Sequence, residues 1–199
     1  MLNEGDPDAI PPRPKVMESD DAFRYRIQLS MEGQSNAGTE SAYLYHALNS
    51  DERVKSAKPK SPAKGQVLIP LLSHEGDGTA SADLLRASTA YMMQPHVRQM
   101  TDELIIQSAE IIVYRVRATI YVESGPGADS IIEACREAVK TYVEFLHQIG
   151  VLVPLSGIYG ALQQPGVVRV VLHEPDVEIS VSDLQAAYCA AIELTQQTK

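Results

Sequence analysis

The stretch that most constrains the fold is residues 111–123, IIVYRVRATIYVE. Its apolar side chains occupy every second position: Ile112, Tyr114, Val116, Ala118, Ile120 and Val122. Arg115, Arg117, Thr119 and Glu123 fall on the opposite side. A period of two is the spacing of a strand with one face in a core and the other in water. The sequence therefore predicts a sheet with one wet face.

The segment after this strand has the pattern of a long amphipathic helix. Ser130 and Glu133 stand at the spacing of a capping box, and Gly150 is placed to end the helix at C′. The apolar stripe consists of Ile131, Cys135, Ala138, Val139, Tyr142, Leu146 and Ile149.

Short periodic runs elsewhere predict a mixture of helices and strands. Helices are expected after Ser19 or Asp20, at 39–49 and at 81–93, and strands at 52–59, 66–73, 167–172, 176–181 and 188–194. The strands at 52–59 and 66–73 read as a hairpin. Pro70 cannot donate to a ladder, so its strand is expected at an edge or with a bulge.

The chain is predicted to be α+β, with two small domains that each pack helices on a mixed or antiparallel sheet. The predicted parts are an extended arm and short helix at 1–36, a middle domain at 37–108 and a C-terminal domain at 109–199. Prolines at 7, 11, 12 and 14 favour the extended arm. A continuous path from LIIQ at 104–107 into the long strand would blur the boundary.

Residues 154–165, PLSGIYGALQQP, pose the question of whether Ser156 is a nucleophile. A nucleophile elbow needs G-x-S-x-G, and the glycine two positions before this serine is missing. Leu155, Ile158, Tyr159 and Leu162 instead recur at helical spacing. We therefore predict a short packed helix that is fixed at its start by Pro154 and Ser156, with Ser156 as the N-cap, and that ends before Pro165.

Two further patterns partly resemble metal sites. Glu144 and His147 form E-x-x-H, but a di-metal centre needs a second copy and two more glutamates, so a solvated helix end is the favoured interpretation. HEGDGT at 74–79 lacks the spacing of a calcium loop and reads as a turn that delivers a helix cap. The remaining histidines are scattered, and the sequence has no glycine-rich phosphate loop. We therefore predict no catalytic, cofactor-binding or metal-binding residues.

Charge and composition limit the classes of partner that the chain can bind. The charge of -9 and scattered cations argue against binding to nucleic acid. The basic run from Arg53 to Lys64 (Arg53, Lys55, Lys58, Lys60, Lys64) is interpreted as a solvated strand edge and turn, with an anion site as the alternative. Cys135 and Cys189 are expected to be reduced and buried. With no long apolar segment, no membrane partner is expected.

Several segments resemble a known family. They are AFRYRIQLSMEG, the AYLYHAL helix, LLSHEGDGTA, YVESGPGADS and, most specifically, VPLSGIYGALQQPGVVRVVL. Together they look like the C-terminal two thirds of the baseplate assembly protein J family of contractile-tailed bacteriophages. The resemblance runs from about Asp6 to Leu194. Members of that family carry a further segment ahead of the proline-rich arm, whereas this sequence begins with Met at the arm.

The resemblance implies a structural role in a phage or prophage baseplate wedge, with no catalytic residues to carry over. It implies contacts with other wedge proteins and with copies of the chain around the tail axis. The expected locations are the virion tail baseplate and, during assembly, the host cytoplasm. We also expect the arm at 1–18 to dock on a neighbouring subunit. Two alternatives stay open: a small ligand-binding α+β module using the basic run, and a hydrolase using Ser156 or a carboxylate pair.

Overall fold

The computed structural model describes residues 20–33, 38–123 and 127–198. The predicted arm at 1–18 lies outside the described residues, so the three-part division of the chain stays a prediction. The described chain forms two compact units. The first contains the residues up to 75 and Ala80–Ser108, and the second contains Gly76–Thr79 and the residues from Ala109 onward.

The first unit packs helices against a three-stranded sheet. Its elements are α1 (Asp20–Gly33), α2 (Glu40–Ser50), β1 (Val54–Ala57), β2 (Gln66–Ser73), α3 (Ala82–Met92) and β3 (Glu103–Ser108). The strand order is β1-β2-β3, with β1 antiparallel and β3 parallel to β2. The predicted hairpin is therefore confirmed. Its core is centred on Tyr43, Ile69, Leu71 and Leu84, which are almost completely buried.

The predicted edge position of Pro70 is wrong, because β2 is the central strand of this sheet. The irregularity of the hairpin lies between Val54 and Ser56 on β1, and not at Pro70. The carbonyl of Pro70 accepts from the Lys58 amide at 3.4 Å, just beyond the end of β1. The donor that Pro70 lacks would face Lys58, where regular β1 pairing stops, and pairing resumes at the single Lys60–Leu68 bridge.

The predicted starts of α2 and α3 are confirmed by their caps. Thr39 Oγ1 accepts from the Ala42 amide at 3.2 Å, and Ser81 Oγ accepts from the Leu84 amide at the same distance. Each hydroxyl satisfies an amide that the first helical turn leaves without a partner.

The second unit has the same kind of layering with a different chain order. Its elements are β4 (Glu110–Val122), α4 (Ala128–Leu146), α5 (Leu155–Leu162), β5 (Val167–Glu174) and β6 (Gln185–Thr198). The strand order is β5-β4-β6, with β5 antiparallel and β6 parallel to β4. The two mixed three-stranded sheets and their helices confirm the α+β class.

Strand β4 confirms the alternation predicted for 111–123. Val116, Ala118, Ile120 and Val122 are buried, whereas Arg115 and Arg117 are exposed. The buried side faces a core that includes Cys135, Val139, Ile158 and Leu162 from α4 and α5. Helices therefore cover one face of this sheet, as the period of two requires.

Both predicted ends of the long helix are wrong. Helix α4 begins at Ala128 with Gly127 at the N-cap and no side-chain cap bond, so Ser130 lies inside the first turn. It ends at Leu146, and Gly150 with φ 73° serves the following turn instead. The early exit lets Ile149 form an antiparallel bridge with Ala186 and become buried.

Two expectations for the last strands also change. Residues 176–181 form no strand and make a single bridge, from Ile179 to Val153. Both sides of the central strand β4 are already occupied by β5 and β6, so this segment has no place beside β4. The strand predicted at 188–194 is confirmed but extends over Gln185–Thr198.

Candidate functional site

The serine at 156 is not an N-cap, contrary to the prediction. Pro154 occupies the N-cap position of α5, no side chain caps the helix, and Ser156 is its exposed second residue. The N-cap therefore lies two positions earlier than predicted, and Pro154 has the extended backbone of a cap residue, with φ -78° and ψ 140°. The hydroxyl therefore does not hold the first amides of α5.

Helix α5 is instead positioned by packing on its inner side. Ile158 and Leu162 are fully buried. Gly157 lies so close to Tyr142 of α4 that a Cβ on this glycine would sit 1.7 Å from the tyrosine hydroxyl. Glycine at 157 thus permits a close approach of the two helices that a larger residue would block.

The end of α5 is tied to its neighbours by polar contacts. The Gln163 side chain donates to the Val167 carbonyl at 3.0 Å, which links the helix to the start of β5. The Cys135 thiol donates to the Leu162 carbonyl at 3.3 Å, in the buried contact with α4. The PLSGIYGALQQPGV element is consequently a helix with a packing role in the second unit.

His147 departs from the predicted solvated helix end. It is the C-cap residue of α4, it is buried, and its ring lies 5.4 Å from that of Tyr188. Glu144 is exposed one turn earlier. The two members of E-x-x-H therefore differ in burial, with Glu144 exposed and His147 buried.

The segment at 74–79 is a turn, as predicted. Gly76 and Gly78 have φ values of 59° and 95°, which favour glycine. Asp77 Oδ1 accepts from the Thr79 amide at 3.0 Å, and this hydrogen bond is the main reason the pKa of Asp77 is lowered. The turn precedes the Ser81 cap of α3.

Arg53 of the basic run is engaged by carboxylates. Its Nε and Nη2 donate to the two oxygens of Asp51 at 2.9 and 2.8 Å, and its Nη1 lies 3.3 Å from Asp83 Oδ2. Hydrogen bonds from Arg53 lower the pKa of Asp51. The arginine of the alternative anion site is therefore already paired within the first unit.

The ionisable groups of the cores are shifted away from reactivity. Burial is the main cause that raises the pKa of Tyr43 to about 12, helped by the hydrogen bond that its hydroxyl donates to Asp102 at 2.7 Å. Burial also raises the pKa of Cys135 and of Cys189, and both thiols are free. A nucleophilic cysteine needs the opposite shift.

Within residues 20–33, 38–123 and 127–198, no cluster of three or more His, Cys, Asp or Glu residues could hold a metal ion. In the same ranges, no helix has the length and apolarity needed to cross a membrane.

The wet face of the second sheet carries polar contacts between β4 and β5. Glu174 accepts from Arg117 at 2.7 Å and lies 3.7 Å from Arg115. The Arg169 guanidinium sits 4.0 Å above the ring of Tyr121. These groups are partly exposed, so each ion pair contributes under about 1 kcal/mol. The alternation in β4 predicted the face, but Glu174 as a shared acceptor had no signal in the sequence.

Large apolar side chains are exposed at several places outside the cores. Those more than 40% exposed are Phe23, Tyr25, Ile27, Met93, Met100, Val113, Phe145, Leu152, Tyr159, Val168 and Val177. Three of them lie on α1, and Phe145 near the end of α4 is 69% exposed. Exposed aromatic residues are typical anchors of protein interfaces.

Comparison with known proteins gives one clear match. No protein-family model matches the chain. Baseplate protein J of Escherichia phage P2 is 39% identical to it over 188 residues, which is 94% of this chain. The chain is a relative of the phage baseplate J proteins. The resemblance predicted from PLSGIYGALQQPGV and the accompanying segments is thereby confirmed, and the chain spans 62% of the length of the P2 protein.

Proposed function

We propose that this chain is a structural component of a contractile-tail baseplate wedge of a phage or prophage. The observation that carries the proposal is the 39% identity to Baseplate protein J along 94% of the chain. Two α+β units with exposed aromatic residues suit a part that acts through protein contacts. The proposed partners are other wedge proteins and copies of the chain around the tail axis, without nucleic acid or membrane.

The same proposal gives the chain no catalytic role. Ser156 is exposed on a packing helix, and the cysteine and tyrosine pKa shifts favour the unreactive, protonated forms. The proposed sites of action are the virion tail baseplate and the host cytoplasm during assembly. The arm at 1–18, which is outside the described residues, is proposed to dock on a neighbouring subunit.

The function is tested by reconstitution. The protein is mixed with the other products of its tail gene cluster, and the complexes are weighed by native mass spectrometry. The proposal predicts a complex of fixed stoichiometry with at least one wedge protein. The protein lacking residues 1–18 is the matched variant and is expected to bind more weakly. If the full chain stays alone in every mixture, the wedge role is wrong, whereas an unchanged complex with the shortened chain contradicts only arm docking.

A further inference from the structure

Strand β6 forms one edge of the second sheet. It pairs in parallel with β4 along Glu110–Val122, and the strand order β5-β4-β6 leaves its other side open among the described residues. The described residues cover this side at two places. The Gly150 amide donates to the Gln185 carbonyl at 2.9 Å beside the Ile149–Ala186 bridge, and Arg136 Nη1 donates to the Ile192 carbonyl. The rest of a 14-residue strand therefore presents backbone groups at an edge.

The direction of these backbone groups follows from the contacts. The Gln185 carbonyl points away from β4, toward Gly150, and groups two residues apart in a strand point the same way. The pairing shifts by one residue between Cys189 and Ala191, so the backbone groups that point outward change from the odd-numbered to the even-numbered residues. After the shift Ile192 points outward, in agreement with its carbonyl accepting from Arg136 Nη1 at 2.8 Å. The next outward residues are 194 and 196.

Two of the other three edges are protected in the ways that natural proteins protect them. Strand β1 has four residues with a bulge, carries Lys55 and is closely followed by Pro59. Strand β5 has eight residues with two irregularities and is followed by Pro175, whereas β3 is a regular strand of six residues and offers a much shorter edge than β6. Strand β6 is long, contains no proline, lysine or arginine, and has Glu193 as its single charge.

We propose that the open edge of β6 pairs antiparallel with β6 of a second copy of this chain. The inference rests on the contact between copies in the proposed function and names the surface that makes it. A second copy is the occupant because it offers an equally unprotected edge, and pairing like with like across a two-fold axis gives a closed contact. The arm is a poor occupant, because prolines at 7, 11, 12 and 14 cannot donate to a ladder.

The charge on β6 selects the register. An arrangement with Glu193 opposite Glu193 of the second copy is disfavoured by repulsion. Placing Thr195 on the two-fold axis sets Glu193 opposite Gln197 and makes residues 194 and 196 the hydrogen-bonded pair. The two sheets then join into one sheet of six strands.

The first test uses the protein alone. Sedimentation velocity over a concentration series is expected to show the mass rising from 21.7 kDa toward twice that value. Amide hydrogen exchange should show protection of residues 194 and 196 that appears only at the concentrations where the dimer forms. A monomer at all concentrations, or a dimer whose 194 and 196 amides exchange freely, would overturn the proposal.

The second test uses variants on β6. Thr195→Lys puts two like charges face to face at the axis and should weaken the dimer about fivefold, whereas Val113→Lys adds the same charge on the central strand and should leave it unchanged. Thr195→Cys should form a disulfide between copies under mild oxidation, and Gln197→Cys should not. Equal effects of both lysine variants, or cross-linking at 197 alone, would contradict the pairing. If the protein is monomeric and still binds wedge proteins, β6 pairing is wrong and the proposed wedge role stands.

Discussion

The contact between Gly157 and Tyr142 gives the sharpest prediction about the second unit. Replacing Gly157 by alanine places a methyl group 1.7 Å from the tyrosine hydroxyl, 2.2 Å from Cζ and 2.9 Å from Cε1. Ordinary contact begins near 3.4 Å, so the hydroxyl has to move by 3.4 minus 1.7, or about 1.7 Å. The end of the ring is thus displaced from the surface of α5.

Two opposing terms set the size of the effect. Overpacking at such a contact costs about 1–3 kcal/mol. Alanine is favoured over glycine inside a helix by up to about 1 kcal/mol. We therefore expect Gly157→Ala to reduce the free energy of unfolding by about 1 kcal/mol. Gly160→Ala is the matched control in the same helix, because nothing lies within 4 Å of its Cβ position, and it should be neutral or stabilising.

The assay is urea denaturation followed by circular dichroism, combined with a double-mutant cycle. In the background of Tyr142→Ala the obstruction is gone, so Gly157→Ala should become neutral or stabilising. The expected coupling between the two positions is about 1–3 kcal/mol. If Gly157→Ala stabilises the wild-type protein as much as it stabilises the Tyr142→Ala protein, the close approach of the helices does not govern this site.

Three further predictions concern single side chains. Ser156→Ala should change the free energy of unfolding by less than about 0.5 kcal/mol in urea denaturation, because the hydroxyl that is lost is exposed and caps nothing. A cost above about 1 kcal/mol would indicate that Ser156 caps the helix after all. Tyr43→Phe removes the hydrogen bond to Asp102 and should lower the free energy of unfolding by about 1–2 kcal/mol. Because the folded pKa of about 12 lies above the unfolded value, the stability that Tyr43 contributes should persist below pH 10 and disappear between pH 10 and 12. Thermal melts should show this loss in the wild-type protein and not in the variant. Arg53→Met should raise the lowered pKa of Asp51. In the wild-type protein, Asp51 stabilises the fold above its unfolded pKa, and this stabilisation is lost as the pH falls through the folded pKa; the variant should lack it. Identical acid unfolding profiles for the two proteins would contradict this.

The sequence was most informative where one local pattern determines one element. The alternation in β4 and the starts of α2 and α3 near Thr39 and Ser81 were predicted correctly, because each depends on residues adjacent in the chain. The end of α4 was not, because the exit at His147 depends on Ile149 pairing with Ala186, a contact between distant residues. The helical spacing of the apolar residues continues to Ile149, so it predicts a helix that ends only at Gly150.

Sheet order explains the remaining differences. Pro70 argued for an edge, yet β3 joins β2 on the far side through a parallel pairing that no local pattern indicates. Similarly, β6 extends to Thr198 because β4 offers a partner along its full length, although QQT at 196–198 is not strand-like by itself. The candidate surfaces were therefore only partly predictable: the wet face of β4 followed from its period, while the open edge of β6 required the strand order.

The proposed role places this protein in a phage tail baseplate, and its location in purified particles decides whether that role is correct. Tails purified from cells that carry the gene are labelled with gold-conjugated antibody against the chain and viewed by electron microscopy. Gold is expected at the end of the tail distal to the head, on most particles. Unlabelled tails, with all of the protein free in the lysate, would contradict it.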